Sequence, residues 1–179
     1  MKNYIKNFEI LKKNYVYSEE MEHDACGVGL IASTEGKKSR AIVEYGIEAL
    51  KAVWHRGAVD ADGKTGDGAG IHVEIPKDFF IEKIEVTGHK HDNSEICVGM
   101  IFLPRNDYAA QESCKTIVES ELTKNDFSIY GWRQVPVNPK VLGEKAFQTM
   151  PEISQVLFKS NNPELLNKDL ERKIYETRR

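Results

Sequence analysis

Cys26-Gly27-Val28-Gly29-Leu30-Ile31-Ala32-Ser33 is the stretch on which the reading of this 179-residue chain turns. Alternation puts Cys26, Val28, Leu30 and Ala32 on one face and Gly27, Gly29 and Ile31 on the other, so the pattern predicts a short strand buried on both sides. A cysteine at the head of such a strand has two readings. Taken alone it is a small core hydrophobe. If the peptide bond between Ala25 and Cys26 is cut, the same residue carries a thiol and a free α-amine, the attacking group and the base of an acyl-transfer site.

Outward from this strand the chain alternates helical and extended patterns. Ser39 is placed to cap a helix running to about residue 55, with Ile42, Val43, Ile47, Leu50 and Trp54 recurring at three- and four-residue steps and Gly57 as a stop. Periodicity vanishes over residues 57–70, a loop rich in glycine and aspartate. Strands are expected over 71–75, closed by Pro76, over 95–103, closed by Pro104, and over 127–137, with helices over 107–122 and 163–179. The order of elements predicts a mixed α and β domain, α+β in class, with sheets covered by helices.

Composition excludes several functions. The apolar fraction is 40%, charged residues make up 30% and the net charge is −3, ordinary values for one globular domain and no footprint for nucleic acid. The longest apolar run, 96–103, is far too short to span a bilayer, so no membrane partner is expected. Residues 1–25, with four lysines, no arginine and five acidic residues, fit neither a secretory nor a transit signal. Three cysteines without paired spacing argue against a disulfide framework and for a reducing, cytoplasmic setting.

Other candidates resolve to bland chemistry. Asp60, Asp62 and Asp67 lack the spacing and closing glutamate of a calcium loop and read as turn formers. The run Gly66-Asp67-Gly68-Ala69-Gly70 lacks the spacing of a dinucleotide or phosphate loop and leads into a strand. His89, His91 and Cys97 form no metal-ligand pattern, so no metal is expected. Cys97 and Cys114 read as core residues, Trp132 as packing or a site wall, and His55 and Arg56 as cations at a helix C-terminus.

Four segments then carry a resemblance: HDACGVGLIAS (23–33), GIEALKAVWHRGAVDADGKTGDGAGIHVEIPKDFF (46–80), VGMIFLPR (98–105) and IYGWRQVPV (129–137). Together they resemble the start of the glutamate synthase large-chain family, that is, its class II glutamine amidotransferase domain, an N-terminal nucleophile hydrolase. The resemblance implies a four-layer αββα sandwich, incomplete in this chain, with residues 1–25 as propeptide and 26–179 as the first part of the domain. It implies that Cys26 is the nucleophile exposed by processing between Ala25 and Cys26, and that Arg56 lies near the substrate.

The same resemblance implies hydrolysis of L-glutamine, with ammonia passed to 2-oxoglutarate in glutamate biosynthesis. Its oxyanion-hole Asn-Gly pair and glutamine-clamping groups belong to a later segment, so these 179 residues are expected to be a fragment, nearly inert alone. FMN, iron–sulfur clusters and the donor, NAD(P)H or ferredoxin, would belong to other regions, so no cofactor is expected in this chain. The remainder of the chain and a small subunit would be its partners. Two rivals stay open: the glutaminase domain of another class II amidotransferase, and a non-catalytic module retaining the fold.

Overall fold

A computed structural model describes residues 9, 10, 12–14, 27–54, 57 and 59–179. The chain divides into two compact units, Met1–Ala58 with Gly66–Ile71, and Val59–Thr65 with His72–Arg179.

In the first unit, helix α1 spans Arg40–Ala52, and the Ser39 side chain caps it by accepting from the Ala41 N–H at 3.1 Å. It ends within a turn of the expected stop, where the Gly57 N–H donates to the Trp54 carbonyl at 3.0 Å. No residue of α1 is buried. The strand expected over 26–32 is not formed: Cys26 lies outside the described residues, and 27–32 carry no ladder, with Val28 96% and Leu30 89% exposed. An extended segment becomes a strand only when its N–H and C=O groups find a neighbour, and no described residue supplies one.

The second unit is built on a three-stranded antiparallel sheet of order β1-β3-β2, with β1 at Cys97–Leu103, β2 at Phe127–Gln134 and β3 at Glu152–Ser160. Central β3, which sequence periodicity does not reveal, is covered on both faces. Its run Val156-Leu157-Phe158 is therefore continuously apolar instead of alternating. Val156 and Phe158 join Cys97, Phe127, Leu122 and Leu170 in one cluster, under helices α3 (Tyr108–Lys124) and α5 (Asn167–Arg178). Leu157, fully buried, joins Phe80, Ile84, Ile96 and Tyr130 in the other, under α2 (Lys77–Val86).

Helix α2 is a second element absent from the sequence reading. It starts after Pro76, with Asp78 in its first turn and Lys83 in its last, in keeping with the helix dipole. Phe80 and Ile84, one turn apart, carry its burial. The strand expected over 71–75 is replaced by irregular chain. Ile71 and Val73 stay exposed, and Ile75 alone packs on the α2 cluster.

Docking of α2 on β2 depends on an irregularity. The ladder shifts at Tyr130, where Ile129 faces Phe158 but Gly131 faces Leu157, so Tyr130 is a bulge residue that twists the strand. Gly131 has φ +146°, and a Cβ there would press on the Thr87 side chain. The space lets the Thr87 hydroxyl, at the end of α2, reach the carbonyls of Ile84 at 2.7 Å and Tyr130 at 2.8 Å.

Helix α3 is tied down by Trp132, whose ring N–H donates to the Glu119 carboxylate at 2.6 Å while the Lys115 ammonium lies 5.9 Å from the ring centroid. Trp132 thus fastens a helix to the sheet. A short helix, α4 (Glu144–Thr149), precedes β3.

Candidate active site

The residues singled out for chemistry, Ala25, Cys26 and Arg56, lie outside the described residues, as does His55. What the structure describes is their surroundings along the chain. Residues 27–32 follow Cys26 as extended, exposed chain; Trp54 and Gly57 flank Arg56.

Beyond Arg56 the glycine- and aspartate-rich loop folds into a closed turn over 60–65. The Asp60 N–H donates to the Thr65 carbonyl at 2.7 Å and the Gly63 N–H to the Asp60 carbonyl at 2.9 Å, with Gly63 at φ +69°. Asp62 organises its interior: one carboxylate oxygen accepts the N–H groups of Lys64 at 2.9 Å and Thr65 at 2.7 Å, the other the Thr65 hydroxyl at 2.5 Å. These donors, the Thr65 hydroxyl first, hold the Asp62 carboxyl well below the usual carboxylate range. Loops of this composition often cage a cation, but here the carboxylate is occupied by the loop's own donors.

The turn rests on α4. Gly143, at the head of that helix, has an ordinary φ of −71°, so it is needed for room, since an added Cβ would collide with Thr65 Oγ1 and Asp62 Oδ2. Lys145 reaches back to the Asp60 carboxylate at 2.6 Å, and the Ala146 N–H donates to Thr65 Oγ1 at 3.4 Å. None of these partners was legible in sequence, because the hydrogen-bonded pairs lie 81 and 85 residues apart. The Asp62-x-x-Thr65 spacing signals the turn, not what it touches.

A second polar cluster, also unforeseen, fastens the segment ahead of β1. Asp92 accepts from the hydroxyls of Ser94 at 2.6 Å and Tyr130 at 3.2 Å and pairs with the Lys159 ammonium. Lys159 above all, then Ser94, holds the Asp92 carboxyl well below its ordinary range, while burial pushes the Tyr130 phenol up. His91 Nε2 lies 3.0 Å from the Ser94 carbonyl and His89 Nδ1 3.1 Å from Thr87 Oγ1. These histidines serve the turn.

The remaining thiols behave as core and helix residues. Cys97 is buried in β1, and desolvation, reinforced by Glu95, pushes its pKa up to about 12. Cys114 is half-buried on α3. Among the described residues no group of three or more His, Cys, Asp and Glu side chains converges as a metal site. No helix among them is long and apolar enough to cross a membrane.

Comparison with known proteins gives a consistent set of likenesses. The family described as class-II glutamine amidotransferases matches residues 26–179. The chain is 55% identical over 163 residues to the glutamate synthase [NADPH] large chain of Azospirillum brasilense, covering 91% of this chain and 11% of that protein. It is 38% identical over 176 residues to the ferredoxin-dependent glutamate synthase 2, chloroplastic, of Arabidopsis thaliana, covering 97% and 11%. To the ferredoxin-dependent glutamate synthase of Pyropia yezoensis it is 41% identical over 164 residues, covering 90% and 10%. The chain thus spans about a tenth of the length of the relatives it matches.

Proposed function

The chain belongs to the class II glutamine amidotransferases, and from that premise we propose that it is the N-terminal glutaminase segment of a glutamate synthase large chain. One observation carries this reading: the family match starts at Cys26, the residue that chemistry singles out, and not at Met1. The same start supports residues 1–25 as a propeptide and 26–179 as the beginning of an αββα amidotransferase domain.

In the proposed reaction the Cys26 sulfur attacks the side-chain carboxamide carbon of L-glutamine. The C–N bond breaks, ammonia leaves with the proton taken from the thiol, and water then hydrolyses the thioester to glutamate and free thiol. The base is the α-amine of Cys26. With an ordinary pKa of about 7.7 to 8.0 it is roughly a quarter to two-fifths neutral at pH 7.5, whereas a lysine at about 10.4 is neutral only about once in a thousand. With the peptide bond between Ala25 and Cys26 intact that nitrogen is an amide and no base, so processing switches the site on. Arg56 is assigned to substrate binding.

Ammonia then passes to a distant site that converts 2-oxoglutarate to glutamate, in the cytoplasm, with the rest of the large chain and a small subunit as partners. The FMN and iron–sulfur groups of such an enzyme are assigned to other regions. The described cysteines, one sealed in a strand and one on a helix, do not fit a cluster, and the proposed hydrolysis uses neither group. The donor, NAD(P)H or ferredoxin, is a property of the longer chain.

Intact mass and labelling by an electrophilic glutamine analogue test the proposal on the full-length synthase chain carrying these residues. Expected are loss of residues 1–25 and one label on Cys26, with no label in Cys26→Ala. An active wild type that keeps its leader, or labels elsewhere, overturns it.

A further inference from the structure

Alternation along the strands decides which side chains share the α2 face of the sheet. Cys97 and Ile101 join the cluster under α3 and α5 while Val98 joins the one under α2, so Met100 and Phe102 stand on the α2 face. The ladder sets Gln155 opposite both Met100 and Arg133, and Ile153 opposite Phe102. Helix α2 covers only the end of this face around Val98, Leu157 and Tyr130. At the other end Met100 is 47% and Phe102 64% exposed, an apolar patch of the kind that marks an interaction surface.

One cation is set into this patch. The half-buried Arg133 guanidinium donates through Nη1 to Gln155 Oε1 at 2.6 Å, and its central carbon lies 5.2 Å from the Phe79 ring centroid. The Lys83 ammonium lies 5.1 Å from the same ring, but Lys83 is balanced by Glu82 at 2.6 Å. Among the described residues no carboxylate pairs with Arg133. Its neighbour is poorly served as well: Gln155 Nε2 donates to the Met100 sulfur at 3.1 Å, and a thioether is a weak acceptor. Two donors therefore lie side by side on an apolar face without an anion. A guanidinium taken partly out of water is costly without its counter-charge, and its planar fork matches a carboxylate.

We infer that the Met100, Phe102 and Arg133 face is a docking surface for an apolar segment that presents an aspartate or glutamate to Arg133 and Gln155, and that this segment belongs to the longer synthase chain, outside residues 1–179. The inference rests on the proposed reading for the existence of that longer chain, since the relatives are about ten times the length matched here. Charge complementarity specifies the occupant: the apolar side chains supply area, and the single unmatched cation selects a single carboxylate.

The test places a photoreactive phenylalanine analogue at Phe102 in the full-length synthase chain and maps the crosslinked peptide. The expected peptide lies outside residues 1–179 and carries an aspartate or glutamate among apolar residues. Arg133→Glu should then quicken amide exchange in that peptide at least about tenfold, and replacing its carboxylate by arginine in the same chain should restore the slow exchange. If Arg133→Glu fails to fold, Arg133→Met, which keeps the stem against Phe79, decides by the same exchange rate. Crosslinks confined to residues 1–179, crosslinks to a separate protein, a peptide without a carboxylate, or an unmoved exchange rate each overturn the inference. Labelling of Cys26 is read separately: a labelled wild type without the expected crosslink removes the docking surface alone, whereas an unlabelled wild type with that crosslink removes the glutaminase reading and leaves the docking surface standing.

Discussion

The sheet of the second unit and the segment around α1 differ in what they do with the same kind of residue. In the sheet, Leu157, Val156 and Ile84 are sealed between strands and helices; over 27–54, an equally apolar sequence leaves Val28 and Leu30 open and buries nothing. Stability is therefore concentrated around β3, while the proposed chemistry sits at the edge of a segment whose apolar groups find no cover among the described residues. The part proposed to react is thus not the part that holds the fold.

Four measurements break or sharpen this contrast. Largest is the effect on chemistry: Cys26→Ala in the full-length synthase chain should lower glutamine-dependent ammonia release at least about a thousandfold. Next, Leu157→Ala should cost about 2 to 5 kcal/mol in chemical denaturation, against less than about 0.5 kcal/mol for Leu30→Ala. Equal costs would mean that the two regions are equally packed, and the contrast would fall.

Thr87→Val should cost about 1 kcal/mol by the same assay, because one hydroxyl proton shared between the Ile84 and Tyr130 carbonyls is lost. The smallest effect is a pH dependence. Asp92 has its carboxyl depressed in the fold, chiefly by Lys159, so its contribution is complete above the unfolded value near 4 and is lost as pH falls through the lowered one. The stability difference between the chain and Asp92→Asn should stay constant from about pH 8 to about pH 5 and shrink below about pH 4. Growth of that difference in acid would refute the assignment.

What could be read in advance followed periodicity. Helices α1, α3 and α5 and strands β1 and β2 repeat their apolar residues regularly, and the cap at Ser39 marks one start. Strand β3 escaped because a strand covered on both faces loses its alternation, and α2 because its short Phe80–Ile84 stripe follows directly on a proline. Residues 27–32 and 71–75 carry strand patterns without a ladder, since pattern reports what a segment tolerates and pairing requires a neighbour. The readings of Cys26, from its position and from motif, and of Arg56, from motif alone, concern residues outside the described ones. The seating of the 60–65 turn on α4 was illegible, because no local signal links two segments so far apart.

Cys97 has a consequence for anyone handling this chain. A sulfur sealed in β1 and protonated until about pH 12 contributes almost no thiolate near neutrality and is silent toward alkylating reagents. With Cys114 replaced by serine, a thiol-directed fluorophore or crosslinker added to the native protein would then find no reactive sulfur among the described residues.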